Sequence, residues 1–302
     1  MRNFEEVIKF AKERGPKTIS VACCQDKEVL LAVDMATKSG IANAILVGDI
    51  EKTNEIAKDL NIDLTGYEMI DEKDLAEASL KAVELVSSGK ADMVMKGLVD
   101  TSIILKAVLN KEVGLRTGKV LSHVAVFDIE GYDRLFFVTD SAMCLDPDLQ
   151  TKKEIIENAV GVAHSLDLSE PKVACLCAKE KVNPKMPDTV DAKELEDMCK
   201  NGEIKDCVVG GPFALDNAVS EEAAKHKGMV HPVAGKADIL ICPDIEAGNI
   251  LYKSISYFAK SKSAGVIVGA KAPVILTSRA DNEDTKLNSI ALGVLMAAKQ
   301  SK

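Results

Sequence analysis

The 302-residue chain has no tryptophan, only 4 tyrosines and only 7 phenylalanines. Stacking of bases or sugars on aromatic faces is therefore not its main design. It is also short of positive charge: 38 lysines and arginines face 47 aspartates and glutamates, leaving a net charge of −9. That balance argues against a nucleic-acid partner. No apolar run is long enough to span a bilayer, so no membrane partner is expected. The segment Met1–Gly15 alternates charge with Phe4, Val7, Ile8 and Ala11 and lacks a signal-peptide core, which leads us to expect a cytoplasmic protein. There is no Walker loop and no Gly-x-Gly-x-x-Gly, so ATP or NAD chemistry lacks its usual sign. There is no Cys-x-x-Cys and no paired histidine spacing, so a metal site has little support. The 8 cysteines fall mostly inside apolar runs such as Val173-Ala174-Cys175-Leu176-Cys177, the setting of buried, reduced thiols.

What is present is an alternation of short apolar runs with amphipathic segments. Helical spacing over Phe4–Arg14, Lys27–Ser39, Glu51–Leu60 and Leu75–Ser88 alternates with strand-like runs at Thr18–Cys24, Ala44–Gly48, Tyr67–Ile70 and Asp92–Met95. This βαβα rhythm predicts a mainly parallel sheet covered by helices. The rhythm changes at Val120–Phe127 and Arg134–Thr139, two strands joined by a short Gly131-containing link that reads as a hairpin and as entry into a second domain. Asp146-Pro147-Asp148 then announces a helix over Leu149–Ser165. Strands recur at Val173–Ala178, Cys207–Val209, Ile239–Cys242, Val266–Gly269 and Val274–Thr277. No repeat and no low-complexity linker marks a boundary.

Polar clusters follow several of these strands, where open α/β sheets place ligands. Val274–Thr277 ends abruptly at Ser278, Arg279 and Asp281, ahead of a helix carrying Asp284 and Lys286. The cluster offers a neutral donor, a fixed cation and possible bases. Asp92–Lys96-Gly97 leads to Thr101, a candidate N-cap whose helix start would attract an anion beside Lys96; an ordinary βα loop with a solvated lysine reads equally well. Lys111–Lys119 packs three cations around two glycines, so Arg116 fits either a phosphate or a basic surface loop. His123 lies inside an apolar run, where a backbone-bonded core histidine is the default. Asp140 and Ser141 follow a strand and fit either substrate contact or a turn cap. Lys181–Met186-Pro187 is another polar loop after a strand. Gly248-Asn249 can bring backbone close to a ligand, and Tyr252-Lys253 fits a helix turn.

Taken together, these residues resemble the phosphate acetyltransferase and butyryltransferase family. The match is carried by Gly89-Lys90-Ala91-Asp92 through Lys96-Gly97, by Ala234–Asp238 with Pro243–Asn249 and Tyr252-Lys253, and by Ala272-Pro273-Val274 through Ser278-Arg279. Ala280-Asp281-Asn282 stands where acetyl-specific members typically have Gly-Cys-Ser. With Met95–Val99, Glu112–Lys119, Ser122–Phe127 and Asn183–Pro187, it looks like the butyryl branch. Asp140-Ser141-Ala142 replaces the Asp-Cys-Ala of many acetyl members, so an acyl-cysteine at that position is impossible.

The resemblance implies two doubly wound α/β domains with a cleft between them, the first completed by the C-terminal segment. We expect residues 1–128 and 268–302 in domain I and 129–267 in domain II. It implies reversible acyl transfer, acyl-CoA plus phosphate giving acyl phosphate plus CoA, by direct thiolate attack. CoA is then a substrate, with no cofactor and no metal, and the chain is expected to form a homo-oligomer. By the same analogy Ser278 and Arg279 are catalytic, with Asp284 the first choice of base and Asp281 the second. Arg279, Lys96, Thr101 and Arg116 are expected around phosphate. His123, Asp140, Ser141, Gly248, Asn249, Lys253 and Lys286 are expected around CoA and the acyl group. The rival readings are a phosphate acetyltransferase, a metal-dependent decarboxylating dehydrogenase with Asp238 and Asp244 as ligands, and a non-catalytic acyl-CoA or phosphate binder.

Overall fold

The computed structural model describes residues 1–278 and 281–300. In chain order the elements begin α1 (Phe4–Glu13), β1 (Lys17–Ala22), α2 (Lys27–Lys38), β2 (Ala42–Gly48), α3 (Ile50–Asp59), β3 (Glu68–Asp71), α4 (Leu75–Ser87), β4 (Met93–Lys96) and α5 (Thr101–Val108). They continue with β5 (Ser122–Asp128), β6 (Phe136–Thr139), α6 (Leu149–Ser165), β7 (Lys172–Leu176), α7 (Pro187–Lys200), β8 (Val208–Phe213), α8 (Leu215–Val219) and α9 (Glu221–His226). The last are β9 (Ile239–Ile241), α10 (Ile245–Phe258), β10 (Lys262–Val268), β11 (Val274–Ile275) and α11 (Glu283–Gln300).

The chain forms two compact α/β units. One comprises Phe4–Lys119 with Ser263–Lys302, the other Met1–Asn3 with Val120–Lys262. In the first unit the strand order is β3-β2-β1-β4-β11-β10. The pairs β2–β3, β1–β2, β1–β4 and β4–β11 are parallel, and only β10 runs against its neighbour. Helices α1, α2 and α11 pack together, as do α4 and α5. Strands β1 and β4 are consequently buried along most of their length, as apolar strands covered on both faces must be. The helix starts follow capping chemistry: Asp26, Asp49 and Asp74 accept from backbone N–H groups of the first turns of α2, α3 and α4.

In the second unit the order is β5-β6-β9-β7-β8. The hairpin β5–β6 is antiparallel and lies wholly inside this unit, while β6–β9, β9–β7 and β7–β8 are parallel. Its core holds Phe127, Phe136, Val138, Phe213 and Leu240, with Tyr252 and Ile255 of α10 packed against it. Periodicity located most elements to within a residue or two. Three strands depart further: β8 runs on to Phe213, four residues past the expected end; β10 starts at Lys262, four residues before the expected start; and in β11 only Val274–Ile275 pair, the chain leaving the sheet before Thr277. No helix of the described residues is long and apolar enough to cross a membrane.

Candidate active site

Register sets the first group of side chains. Ala22 pairs with Lys96 and Met95 with Ile275, so the carboxyl ends of β1, β4 and β11 lie side by side. Cys23, Gly97 and the stretch to Ser278 leave the sheet there. Gly97 is required by crowding: a Cβ would stand 2.3 Å from the Cys23 carbonyl oxygen and 2.7 Å from that of Ala22. Its N–H donates to Ala22 O at 2.8 Å. The next residues turn into α5, whose N-cap position is Asp100 and not Thr101; Thr101 is the first helical residue, half-buried. Lys96 is buried, with its ammonium 3.3 Å from Gly97 O, which corrects the reading of a solvated surface lysine. Arg116 is exposed on a loop fixed by bonds from Leu115 N to Val108 O and from Lys271 N to Leu115 O.

Beyond β11 the chain closes on itself. Asp281 Oδ2 accepts from Ser278 N at 2.7 Å, and Asp281 N donates to Ser278 O at 3.2 Å. The Lys286 ammonium, buried, donates to Asp281 O. Asn282 caps α11, its Oδ1 accepting from Thr285 N at 3.0 Å. Ser289 fixes the same helix to β10 by accepting from Gly265 N at 2.9 Å while donating to Thr285 O at 2.8 Å. Burial raises the Asp281 carboxyl above its ordinary range, only partly offset by the Ser278 N–H and by the charges of Lys286 and Lys96. Asp284, in the first turn of α11, is exposed. Ser278, Asp281 and Lys286 therefore come together, while Asp284 points to solvent. Arg279 lies outside the described residues.

The second unit builds a different group. Thr139 pairs with Ile241, so the ends of β6 and β9 are adjacent and deliver Asp140-Ser141 and Pro243-Asp244. Asp140 is buried and accepts from the backbone N–H groups of His123 (3.0 Å), Ala142 (2.7 Å) and Met143 (2.9 Å). Of the two sequence readings, the carboxylate serves the turn cap. His123 Nδ1 is 2.9 Å from Ser141 Oγ, and both residues are buried. Desolvation pushes the His123 imidazole below its usual range, against the opposing pull of Asp140. The ring also meets Tyr252 edge-on at 6.0 Å between centroids. Asp244 caps α10 through Ala247 N at 2.7 Å. Asn249 Nδ2 then donates to Ser141 O at 3.2 Å. Gly248 permits a close approach to the chain's own backbone: a Cβ there would stand 2.1 Å from Asp140 O. Lys253 is exposed on the same helix.

Two residues that sequence reasoning passed over, Thr139 and Asn282, hold these groups in place; Thr139 Oγ1 donates to His123 O at 2.7 Å. Asn282 was legible as a cap ahead of the acidic turn Glu283-Asp284. Asp238 and Asp244 hold structural posts. Asp238 accepts from Lys172 N at 2.8 Å beside Arg134, and Asp244 is the cap already described. Among the described residues no group of three or more His, Cys, Asp or Glu side chains is placed to hold a metal ion. A surface cavity of about 430 Å³ lies in the second unit between Glu221, Lys225, His231 and Lys236, and none of the expected catalytic, phosphate or acyl-CoA residues lines it.

The model of the phosphate acetyl/butaryl transferase family matches residues 3–78 and 72–294. A phosphate butyryltransferase of Clostridium beijerinckii is 57% identical over 298 residues, covering 99% of both chains. A phosphate butyryltransferase of Clostridium acetobutylicum is 54% identical over 300 residues, covering 99% of this chain and 100% of that one. Among solved structures, a branched-chain phosphotransacylase from Enterococcus faecalis V583 superposes with a TM-score of 0.82 at 37% identity, covering 93% of this chain and 99% of the other.

Proposed function

The chain belongs to the phosphate acetyl/butaryl transferase family, and from that membership we propose that it transfers a butanoyl group reversibly between CoA and inorganic phosphate. The observation that carries the reading is full-length identity of 57% to a phosphate butyryltransferase. CoA is a substrate here, and no resident cofactor or metal is invoked.

Towards acyl-CoA, the CoA thiol must lose its proton before it can attack. Asp281 takes that proton. In favour of Asp281 over Asp284 are its raised proton affinity, its bond to Ser278 N and the exposure of Asp284. The thiolate attacks the acyl carbon, the C–S bond forms, and the bond to the phosphate oxygen breaks. Ser278 donates to the carbonyl oxygen as charge develops there. Arg279, Lys96, Thr101 and Arg116 hold the phosphate, with Lys286 close by to orient Asp281. In the second unit Ser141, His123, Asn249 and Lys253 bind acyl-CoA, with Asp140 and Gly248 shaping the turn that presents them. Transfer is direct. Ser141 is buried and bonded to His123, and the thiol of neighbouring Cys144 is pushed up to about 12 by burial and the Asp140 charge.

Thiol release from butyryl-CoA in metal-free buffer should require phosphate and exceed release from acetyl-CoA by about tenfold or more, the scale set by extra methylenes in an apolar pocket. Arg279→Ala should slow it roughly tenfold, as expected for loss of a bidentate phosphate contact. Equal rates with acetyl-CoA would favour an acetyl-transferring enzyme, and no phosphate-dependent release would sink the reading.

We further propose that the protein is a homo-oligomer through α10. Ile250, Tyr257 and Phe258 recur at helical spacing on its outer face and are 66%, 68% and 88% exposed. Sedimentation should give a dimer or larger species, and Ile250→Lys with Phe258→Glu should shift it to monomer. A monomeric wild type would refute this assignment.

A further inference from the structure

One buried charge in the second unit has no part in the chemistry just described. Lys152, in the first turns of α6, has a side chain only 6% exposed. Its ammonium sits 2.8 Å from Asp188 Oδ1 and 2.8 Å from Asp191 Oδ2, both in the first turns of α7. A buried ammonium is costly, and replacing such an ion cluster by apolar side chains is often neutral or stabilising. Stability alone is therefore a weak reason for Lys152 to be there. Its location offers a better one.

Helix α6 follows the Asp140–Asp148 turn after β6, and Lys152 N donates to Asp148 O at 2.8 Å. Helix α7 follows the Asn183–Pro187 loop after β7. That loop is folded onto Thr189, whose Oγ1 accepts from Asn183 N at 2.8 Å and donates to Met186 O at 2.7 Å. Thr189 lies between the two aspartates that clasp Lys152. The third strand end is also present: a cavity of about 10 Å³ is walled by Lys152, Cys175, Asp188, Ile241, Cys242 and Pro243, where β9 gives way to α10. The ammonium thus stands where the segments leaving β6, β7 and β9 meet. These parallel strands end level with one another, Thr139 and Cys175 both pairing with Ile241.

We propose that Lys152, clasped by Asp188 and Asp191, is a positioning residue that holds the Asn183–Pro187 loop in register with the Asp140–Ser141 turn, so that this edge of the second unit binds acyl-CoA. The inference rests on the reading that the second unit carries the acyl-CoA groups. Lys152 touches neither substrate. Its effect falls on acyl-CoA affinity, and the phosphate and proton-transfer groups belong to the first unit.

The test separates KM from kcat. Lys152→Met should raise KM for butyryl-CoA about tenfold, the order of loss expected when binding groups shift by a fraction of an ångström. KM for phosphate and kcat should stay within about twofold, and Lys152→Arg should recover most of the affinity. Asp191→Asn is the gentler companion should Lys152→Met fail to fold; it should raise the same KM about threefold. An unchanged KM for butyryl-CoA in the folded variants, or equal changes in both KM values, overturns the assignment. Calorimetric titration with CoA keeps the two readings apart. If the wild type binds CoA but does not turn over, weaker CoA binding by Asp191→Asn still supports the clamp while the transferase reading fails. Equal CoA binding by wild type and variant refutes the clamp.

Discussion

Asp281→Asn is expected to lower kcat for acyl-CoA formation by roughly 10²–10⁴, the usual contribution of a positioned general base, while leaving the protein at least as stable as the wild type. The side-chain oxygen of asparagine can still accept the Ser278 N–H that Asp281 Oδ2 accepts at 2.7 Å. What disappears is a carboxylate held where burial disfavours its charge. The sign follows from linkage. A carboxyl whose folded pKa is raised binds a proton more readily in the native state, so the ionised group opposes folding. That cost is absent below the unfolded pKa and grows as pH rises to the raised folded value. Neutral asparagine never incurs it. The same shift shapes the kinetics: the wild-type rate should fall with acid through a midpoint above the ordinary carboxyl range, and this limb should vanish in Asp281→Asn. The matching change Asp284→Asn should leave the profile nearly unaltered. If Asp284→Asn causes the collapse instead, the proton-transfer role belongs to the exposed carboxylate.

Gly248→Ala is expected to be among the most damaging single methyl additions in the second unit. The added carbon would lie 2.1 Å from Asp140 O and 3.0 Å from Ser141 Cα. Both obstacles are backbone, and that backbone is tied through Asp140 to three N–H groups. Either α10 lifts or the Asp140–Ser141 turn shifts. A cost of about 3 kcal/mol is reasonable for overpacking against fixed backbone, lowering the melting temperature by roughly 5–10 °C. Activity should fall with it, because Asn249 can no longer reach Ser141 O. Gly161→Ala is the control. Gly161 is exposed within α6 and a Cβ there would meet nothing within 4 Å. It should gain about 0.5–1 kcal/mol from helix propensity. Differential scanning calorimetry of both variants decides the point.

These two glycines show how far sequence could be read. The alternation of apolar runs and amphipathic segments located the strands, because a buried parallel strand and an amphipathic helix leave different periods in the chain. It also placed Ser278, Asp281 and Asp140 just beyond strand ends. It did not say which way each faced. The Gly248-Asn249 pair reads as a place where backbone comes close to something, and it does, but the partner is the chain's own Asp140 carbonyl. On paper Asp284 is the first choice of base and Asp281 the second; the structure reverses the order we favour. They differ because the start of α11 turns one towards Ser278 and the other to water, which depends on the Asn282 cap and the Ser289 tie to β10. For Lys96 the anion-site and solvated-lysine readings stand level on paper, because nothing local announces that the chain buries it.

The cysteines described earlier have a practical consequence for anyone following CoA release with a colour-forming thiol reagent. Such reagents react with thiolates. Burial pushes Cys24 up to about 11 and Cys144, Cys177, Cys207 and Cys242 up to about 12, and it raises Cys23 and Cys175 as well. At mildly alkaline pH, where free CoA is well ionised, these seven side chains stay almost wholly protonated. These seven thiols therefore add little to the background of the folded enzyme, and a sudden rise in that background is a reading of their exposure on unfolding in the cuvette.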